Sequence, residues 1–589
     1  MPAARAVVSV FPQSWDVVVK SLVDPNVCIS TCLTQGSHAS GPDNVQRSAD
    51  IDPCGREPLS MRRASIAALA GSIAVGLGVL GWQVLAAGGW TFWEALMMVS
   101  LAINAPWLGL TAATGLAGFA ILLFSRDPTA FVLPTLQRTD AVIHAKTLLA
   151  LCVRLEDMDA VLPPLGGLLH ELRSRHGDRF VLGILSDTPA GAPARAEAKA
   201  VAALASRFPA GAVRYRRRPE NLGFKAGNLM DFLDHRAAGF EYALVLDADS
   251  TMSAGTVARL VRIMQADPRL AILQTAISGR GAMTWFARLF GFGQQHGTRA
   301  WVMGQAWWLG PAQLYWGHNA LIRIGAFRRD ARLPTLPDGS CILSHDYAEA
   351  AQLHARGWAV RVLPEDTGSW ERHPPDLIAL FSRDLRWAAG NLQYRHLLSR
   401  PEFGKLGRFQ MLEAILHYAL APLRFGLLPV AGLNVATGGG EGTPRGALLL
   451  LLLTGFVVSN LPKLAGYSEA LLRPGRFKRV TLLRSMVQEM ALSFMLDTLE
   501  AFERSLTLLQ LGRGQFSGWT VQPRAARGMT WTTAARRFGP HTVVGLVILA
   551  CFGFASRFAA VVALPALAGL LLAIPIAVLT ARLCRKTGC

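Results

Sequence analysis

The chain has 589 residues, of which 51% are hydrophobic and only 17% are charged. This composition excludes a purely soluble protein and indicates a membrane protein with several domains. Lysine and arginine (59) outnumber aspartate and glutamate (40), but because the basic residues flank apolar stretches, the net charge of +19 favours an anionic membrane surface over nucleic acid as a partner.

The chain is expected to begin with a disordered extension and then enter the membrane. Residues 1–60 lack hydrophobic periodicity, and Met61, followed by two arginines, resembles a native start. Residues 61–126 are predicted to form two transmembrane helices, because the stretches 64–86 and 92–124 are apolar and long enough to cross a bilayer. Arginines on both flanks place these flanks in the cytosol.

Residues 127–408 are predicted to form a cytosolic α/β domain. No uncharged stretch here reaches membrane length, and short apolar runs alternate with helical patterns, which is typical of a doubly wound sheet. The predicted strands are 146–153, 180–186, 212–215, 242–246, 271–275 and 359–363. The expected architecture is therefore an α-helical multi-pass membrane protein with an inserted cytosolic α/β domain.

The membrane pattern resumes after residue 408 in three units. These are a transmembrane pair with a basic cytosolic loop (409–484), an uncertain helix with a basic loop (485–540), and a transmembrane hairpin with a basic tail (541–589). The predicted spans are 411–436, 447–466, 543–558 and 561–581.

The uncertain helix covers residues 485–511 and contains five charged side chains. They are Glu489, Asp497, Glu500, Glu503 and Arg504. Burying these charges in a membrane span would cost roughly several kcal/mol in total. An interfacial amphipathic helix or a short re-entrant hairpin is therefore predicted instead. The count is six spans, or eight with the hairpin.

Two carboxylates, Asp247 and Asp249, follow the apolar strand at 242–246. Side chains alternate along a strand, so both carboxylates can point the same way and hold a hard cation such as Mg²⁺ or Mn²⁺, which in turn holds phosphates. The carboxyl end of a buried strand is where open α/β sheets bind ligands. Taken alone, however, the pair is more often a solvated turn before a helix.

Three other stretches of this domain also carry candidate ligand contacts. Asp187 follows a strand and can hydrogen-bond a nucleobase or ribose, although a turn Asp is the commoner explanation. In the basic run 214–228, Lys225 precedes a helix in a glycine-containing loop that can approach a pyrophosphate. The motif WGHN at 316–319, with His318, leads into an apolar strand.

Two motifs further along the chain can supply acid–base chemistry and sugar contacts. Asp346 stands at a predicted helix start, where an Asp is ordinarily a cap, but an exposed carboxylate there could serve as a general base. In the run beginning at Arg383, Arg386 can brace a leaving diphosphate and Trp387 can stack on a sugar ring, unless both only pack an interfacial helix.

These motifs, in this order, resemble those of the processive membrane glycosyltransferases of family 2, the class of cellulose and hyaluronan synthases. The shared elements are Asp187, DAD at 247–249, SHD at 344–346 and RxxRW at 383–387. Other stretches look more closely like the glucosyltransferase H family of osmoregulated periplasmic glucan synthesis. They are GHNA at 317–320, LSHDYAEAA at 343–351, ERHPPDL at 371–377 and RDLRWAAGNLQY at 383–394. The resemblance covers roughly residues 61–540.

The resemblance implies a GT-A fold for the cytosolic domain and a role for each matched carboxylate. It implies that Asp187 contacts the uridine and that Asp247 and Asp249 hold UDP and the metal ion, Mg²⁺ or Mn²⁺. It also implies that Asp346 is the catalytic base. Further substrate contacts are expected from Lys225, His318, Arg383, Arg386 and Trp387.

Two departures limit what can be carried over. Cellulose synthases have Gln where Arg383 stands, so an acceptor contact of that Gln cannot be transferred. The first strand ends in CVRLEDMD instead of PxYNE, which leaves Glu156 or Asp157 as the uracil-side carboxylate.

The function implied is that of an inverting, processive glucosyltransferase of the bacterial inner membrane. It would use UDP-glucose to extend a β-linked glucan, β-1,2 by resemblance alone, and deliver it to the periplasm. Its expected partners are UDP-glucose, the growing glucan and membrane lipids, with acyl carrier protein and periplasmic glucan-processing proteins as further candidates. Two alternatives are transfer of a single sugar to a lipid phosphate and a non-catalytic transporter or scaffold.

Overall fold

The computed structural model describes residues 59–133, 141–473, 479–515 and 528–584. The extension expected at 1–60 lies outside these ranges except for its last two residues, and so do parts of the predicted basic loops and tail. The first helix begins at Leu59, two residues before the predicted start. Leu59 is helical because its side chain is buried against Gly310 of the α/β domain.

A seven-stranded sheet forms the centre of the α/β domain. Its strands are β1 Thr147–Val153, β2 Phe180–Ser186, β3 Val213–Arg217, β4 Tyr242–Leu246, β6 Leu270–Thr275, β8 Ala320–Arg323 and β9 Ala359–Leu363, while β5 Thr251–Met252, β7 Ser278–Gly279 and β10 Ser369–Glu371 lie outside it. The order is β3-β2-β1-β4-β8-β6-β9, with β8 antiparallel to both neighbours. The six predicted strands are all present, and the short β8 after WGHN makes the sheet mixed.

Helices cover both faces of this sheet. They are α4 Met158–His176, α5 Ala192–Ala205, α6 Phe224–His235, α7 Ala254–Ala266, α9 Ile324–Asp330 and α10 Asp346–Ala355. Alternate residues of β1 divide between two cores: Leu149 packs with α4, α5 and α7, whereas Leu148 packs with α6, α9 and α10. The doubly wound arrangement predicted from the alternating pattern is therefore confirmed.

Beside the main sheet, β5, β10 and β7 form a small second sheet in that order. β10 leads directly to α11 Leu377–Gln393, the helix that carries the RxxRW motif. The small sheet thus joins the ligand edge of the large sheet to the helix that carries Arg386 and Trp387.

Most of the remaining helices are long and apolar. The remaining helices are α1 Leu59–Leu85, α2 Phe92–Phe124, α3 Pro128–Val132, α8 Trp285–Leu309, α12 Gly404–Ala419, α13 Ala421–Ala436, α14 Arg445–Ser459, α15 Leu461–Leu472, α16 Arg479–Gly512, α17 Trp531–Ala555, α18 Arg557–Leu571 and α19 Ala573–Thr580. Of these, α3 and α19 have only five and eight residues. Within the described residues, four helical segments are long and apolar enough to cross a membrane, or six if the bent pairs α14/α15 and α18/α19 each count as one. This pattern fits a membrane protein.

α16 replaces the uncertain segment with one unbroken helix of 34 residues. The re-entrant hairpin, and with it the count of eight spans, is therefore wrong. The charges that made a span costly are largely paired inside the helix bundle. The pairs are Glu489 with Lys463 and Arg504 with Asp384, each at 2.8 Å, and Glu503 with Arg537. The depth of α16 in the membrane stays a prediction.

α8 joins the α/β domain to the membrane helices. It lies within the sequence range predicted to be cytosolic, but it packs along α2 and α15. Gly118 of α2 and Gly304 of α8 face each other at a crossing so close that a Cβ on either would fall on backbone of the other helix. The α/β domain is therefore fixed against the membrane helices by a backbone-to-backbone contact.

Candidate active site

The acid pair lies at the carboxyl edge of the large sheet. All five residues of β4 are buried, while Asp247 and Asp249, which follow, are partly exposed. Ser250 fixes the turn, because its backbone N–H donates to the Asp247 carbonyl and its hydroxyl accepts from the Asp247 N–H, both at 3.0 Å. The two carboxylates are therefore held at a sheet edge that a ligand can reach.

Lys225 connects the acid pair to the GHN motif. α6 begins with Phe224 after Gly223, both with positive φ, and this turn aims Lys225 across the sheet edge. Lys225 forms an ion pair with Asp247 and donates to the Gly317 carbonyl at 2.7 Å. Burial alone would lower the pKa of Lys225, but the Asp247 carboxylate outweighs it, so this pKa is raised and the ammonium stays charged.

Asp346 is close to the same contact and does not cap its helix. The cap position of α10 is His345, and Asp346 is the first helical residue. Its carboxylate accepts from the Tyr347 N–H at 3.2 Å and, at 3.5 Å, from the Tyr394 hydroxyl. A Cβ built on Gly317 would lie 3.6 Å from Asp346 Oδ2. The structure therefore brings Asp247, Lys225, Gly317 and Asp346 together from four separate stretches.

A buried ion pair orients the segment that carries Asp346. His345 Nδ1 lies 2.8 Å from Glu349 Oε2 one turn further along α10. Burial of His345 alone would lower its pKa, but the Glu349 carboxylate raises it, so the imidazolium form is favoured. Sequence reasoning missed Glu349, although the i, i+4 spacing of His and Glu at a helix start was a usable signal.

The RxxRW helix presents one exposed indole beside the site. Trp387 is 45% exposed, whereas Arg386 is 8% exposed. The guanidinium carbon of Arg383 lies 4.5 Å from the centre of the Trp387 ring, which favours a stacked contact. Trp387 is thus an accessible flat surface, as a sugar-stacking residue needs to be.

The end of the same helix supports the SHD motif. Gly390 lies so close to Ser344 that a Cβ there would collide with the Ser344 backbone and hydroxyl. Gln393 Oε1 accepts from the Leu343 N–H at 2.8 Å, and the buried Tyr394 contacts Asp346. The sequence alone assigned no role to these supporting residues, which lie in the second half of the motif RDLRWAAGNLQY.

His318 belongs to a buried cluster next to the acid pair. Its Nε2 lies 3.6 Å from Glu371 Oε2 of β10. Burial raises the pKa of Glu371, and His318 and Arg383 oppose this rise, while the negative charges of the acid pair add to it. Glu371, also unassigned by the sequence, therefore lies within electrostatic reach of the acid pair, His318 and Arg383.

Asp187 lies at the end of β2 as predicted, but its carboxylate is already engaged by Arg218. The two form a bidentate ion pair, with Arg218 Nη2 at 2.9 Å from Oδ2. The same guanidinium donates at 2.8 Å to the Leu222 and Phe224 carbonyls. Asp187 therefore also holds the loop that aims Lys225, and its contact with uridine stays a prediction.

Of the two candidates for the uracil-side carboxylate, Asp157 caps α4. Its side chain accepts from the Asp159 N–H at 3.2 Å. Glu156 is partly buried next to it. This cap gives Asp157 a structural role, and the choice between the two carboxylates stays a prediction.

The acid pair fits a metal ion whose coordination is completed by the substrate. In the part of the chain that the structure describes, no three His, Cys, Asp or Glu side chains are arranged to hold a metal by themselves. Asp247 and Asp249 offer hard oxygen donors. A cation held by one or two carboxylates together with phosphates of the substrate is the usual arrangement for Mg²⁺.

Sequence comparisons agree with these motifs. A profile of glycosyl transferase family group 2 matches residues 242–462. The glucans biosynthesis glucosyltransferase H of Xylella fastidiosa is 31% identical over 557 residues, covering 89% of this chain and 86% of that protein. The protein of the same name from Caulobacter vibrioides is 32% identical over 554 residues, covering 87% and 81%. The chain belongs to the glucosyltransferase H family.

Membership of the glucosyltransferase H family makes the chain a hexosyltransferase of glucan biosynthesis. The expected GT-A glycosyltransferase fold is confirmed by the family match together with the mixed sheet that carries the acid pair at its edge. Among solved structures, a mannosyltransferase from Pyrobaculum calidifontis in complex with GDP-Man and Mn²⁺ is similar at 15% identity and a TM-score of 0.37, covering 62% of this chain and all of that one.

Family membership also excludes one alternative function, that of a non-catalytic transporter or scaffold. A transporter or scaffold with a non-catalytic domain does not agree with a glucosyltransferase H that retains Asp247, Asp249 and Asp346. The alternative of a single-sugar transferase to a lipid phosphate concerns the acceptor, which the family name does not specify.

Proposed function

We propose that the chain is an inverting, processive glucosyltransferase that moves glucose from UDP-glucose to the end of a growing β-glucan, β-1,2 linked by family resemblance. The observation that carries this proposal is the position of Asp346 relative to the acid pair. Lys225 contacts both Asp247 and the Gly317 carbonyl, and Asp346 lies next to Gly317 and within electrostatic reach of Lys225, so a base and a leaving-group site lie close together.

Asp346 acts as the general base on the acceptor. Its carboxylate is partly exposed, and the N-cap position of α10 is occupied by His345 instead. The Asp346 carboxylate can therefore accept the proton of an acceptor hydroxyl. The acceptor oxygen then forms a bond to the anomeric carbon as the bond from that carbon to the diphosphate oxygen breaks. The bonding electrons leave with UDP, and a single displacement converts the α-linked donor into a β-glucoside.

Lys225 and the acid pair serve the departing diphosphate. A divalent cation bound by Asp247 and Asp249, Mg²⁺ or Mn²⁺, supplies positive charge to the leaving group. The Lys225 ammonium adjoins Asp247 and stays charged because of it, so it can neutralise further phosphate charge. Arg386 and the exposed Trp387 face of α11 supply the remaining diphosphate and sugar contacts.

A polar path next to α11 supports processive synthesis with export. Asp384 of α11 contacts Arg504 of α16 at 2.8 Å and accepts from the Tyr418 hydroxyl of α12 at 3.1 Å. His417 of α12 and Arg424 of α13 lie within electrostatic reach of this cluster. Charged side chains that face one another between membrane helices are typical of a water-filled pathway.

Removal of the metal-binding carboxylate is expected to weaken nucleotide binding. Asp249→Ala should lower the affinity for UDP in the presence of Mn²⁺ by about tenfold or more, because a cation with one protein ligand bridges the diphosphate poorly. Titration calorimetry with UDP measures this. Chelation of the cation should weaken wild-type binding to the level of the variant and leave the variant unchanged, and an equal response of both proteins would contradict the metal assignment.

The direction of transport can be tested with sealed proteoliposomes that receive UDP-glucose from outside. Labelled polymer is expected inside the vesicles, protected from an added glucanase, and linkage analysis of it is expected to give β-1,2 bonds. Asp178→Asn, a change of an exposed carboxylate on the domain surface, serves as control. Polymer found only outside would refute export, and a lipid-linked monosaccharide would favour the single-sugar alternative.

A further inference from the structure

A second large cavity lies away from the proposed catalytic cleft. Its volume is about 1220 Å³, and it is bounded by β7, β10 and α8 on the catalytic side and by α15 and α16 on the membrane side. It contains none of the acid pair, Asp346, Lys225 or the RxxRW residues. Its lining is strongly basic. The arginines in it are Arg280, Arg288, Arg299, Arg372, Arg473 and Arg484.

The charges of this cavity do not cancel. Two carboxylates, Asp366 and Glu469, line the cavity, and both form ion pairs with arginines of the same lining. Arg299 lies 3.0 Å from Asp366 and 3.3 Å from Glu469. Arg473 also pairs with Glu469. The other four make no ion pair with any described residue. They are Arg280, Arg288, Arg372 and Arg484. A partly enclosed excess of positive charge attracts an anion.

Two of these four guanidinium groups are held in place by aromatic rings. Arg280 lies 5.0 Å from the centre of the Trp370 ring, and Arg288 lies 5.5 Å from that of Trp285. A guanidinium held over an indole loses little freedom when it binds a phosphate, and its fork of donors matches phosphate oxygens. The fixed guanidinium groups therefore favour binding of a phosphate group in this cavity.

α16, which lines the cavity with one face, carries an exposed apolar surface on another. Arg484 and Ser485 of α16 line the cavity, while Val480, Leu483 and Val487 on the other face of the same helix are 79%, 48% and 69% exposed. Their spacing of three and four residues makes one continuous apolar stripe. A ligand that has both a phosphate and hydrocarbon chains matches both surfaces.

We propose that this cavity binds the phosphate headgroup of an anionic phospholipid, whose acyl chains lie along the Val480–Leu483–Val487 stripe. Basic pockets beside membrane helices bind acidic headgroups in this way. The bound lipid bridges the catalytic domain, through β10 and α8, and the membrane helices α15 and α16. The proposal does not depend on the donor, the acceptor or the linkage of the glucan.

The test uses the full-length enzyme purified in a neutral detergent and native mass spectrometry after addition of one lipid at a time. Wild type is expected to retain phosphatidylglycerol and to release phosphatidylcholine. The double variant Arg288→Gln with Arg484→Gln should bind phosphatidylglycerol about tenfold more weakly. Arg207→Gln with Arg236→Gln removes the same charge from exposed positions of the catalytic domain and should bind like wild type.

A charge-preserving pair and a soluble competitor complete the test. Arg288→Lys with Arg484→Lys should retain phosphatidylglycerol, which separates loss of charge from misfolding. Equal phosphatidylglycerol binding by wild type and the Gln variant would overturn the proposal. So would displacement of the lipid by an equal concentration of glycerol phosphate, because the occupant would then be a soluble phosphate.

Discussion

Asp346→Asn is expected to lower the rate of glucose transfer about 10³-fold, within the range that a general base contributes. Asparagine keeps the size of the side chain, but it cannot accept the proton of the acceptor hydroxyl. Because the donor is proposed to bind at the acid pair, on the other side of Lys225, the affinity for UDP-glucose should stay within about twofold of wild type. UDP release and equilibrium binding of UDP-glucose measure the two effects.

Two results decide the role of Asp346. Asp178→Asn, on the exposed surface of the same domain, should leave both quantities unchanged. Normal glucan synthesis by Asp346→Asn would eliminate this carboxylate as the base. An equal loss of UDP-glucose affinity would instead assign it to donor binding.

Gly390→Ala is expected to reduce the turnover number about 10²-fold while the KM for UDP-glucose changes little. The added methyl group must displace Ser344, and with it the segment that carries Asp346, whereas Lys225 and the acid pair are not touched. Misplacement of a catalytic group by about 1 Å is sufficient for a loss of this size. Steady-state kinetics of UDP release measure both constants.

The control for this substitution is Gly255→Ala on α7, where nothing lies within 4 Å of the new methyl group. It should leave turnover unchanged and slightly stabilise its helix. Full activity of Gly390→Ala would mean that α11 does not position the base. A loss of folded protein rather than turnover, seen by size-exclusion chromatography, would assign Gly390 to stability alone.

The strands and the acid pair could be predicted because their signals are local. The unbroken apolar run of β4 predicts a strand buried on both faces, and the strand alternation places Asp247 and Asp249 on one side of its end. The short antiparallel β8 was seen only as an apolar run after WGHN. Its four residues give too short a pattern to specify a direction or a neighbour.

For α16, the local pattern predicts an interfacial helix or a hairpin because it overestimates the cost of the charges. Glu489, Glu503 and Arg504 count as a burial penalty when each is considered alone. In the fold, each has an opposite charge supplied by another helix: Lys463 for Glu489, Arg537 for Glu503 and Asp384 for Arg504. These ion pairs could therefore not be predicted from residues 485–511 alone, because the partners lie on other helices.

The sequence by itself determined which chemical groups are present: an acid pair after a strand, a lysine in a glycine-containing turn, an exposed Asp near a helix start and an Arg–Trp motif. Only the tertiary structure decided which other residues each of these groups contacts. It showed that Asp346 does not cap its helix, that Arg218 engages Asp187, and that Gly390 of α11 supports Ser344. These contacts join residues dozens of positions apart, and their distances follow from how strands and helices pack, which no local pattern encodes.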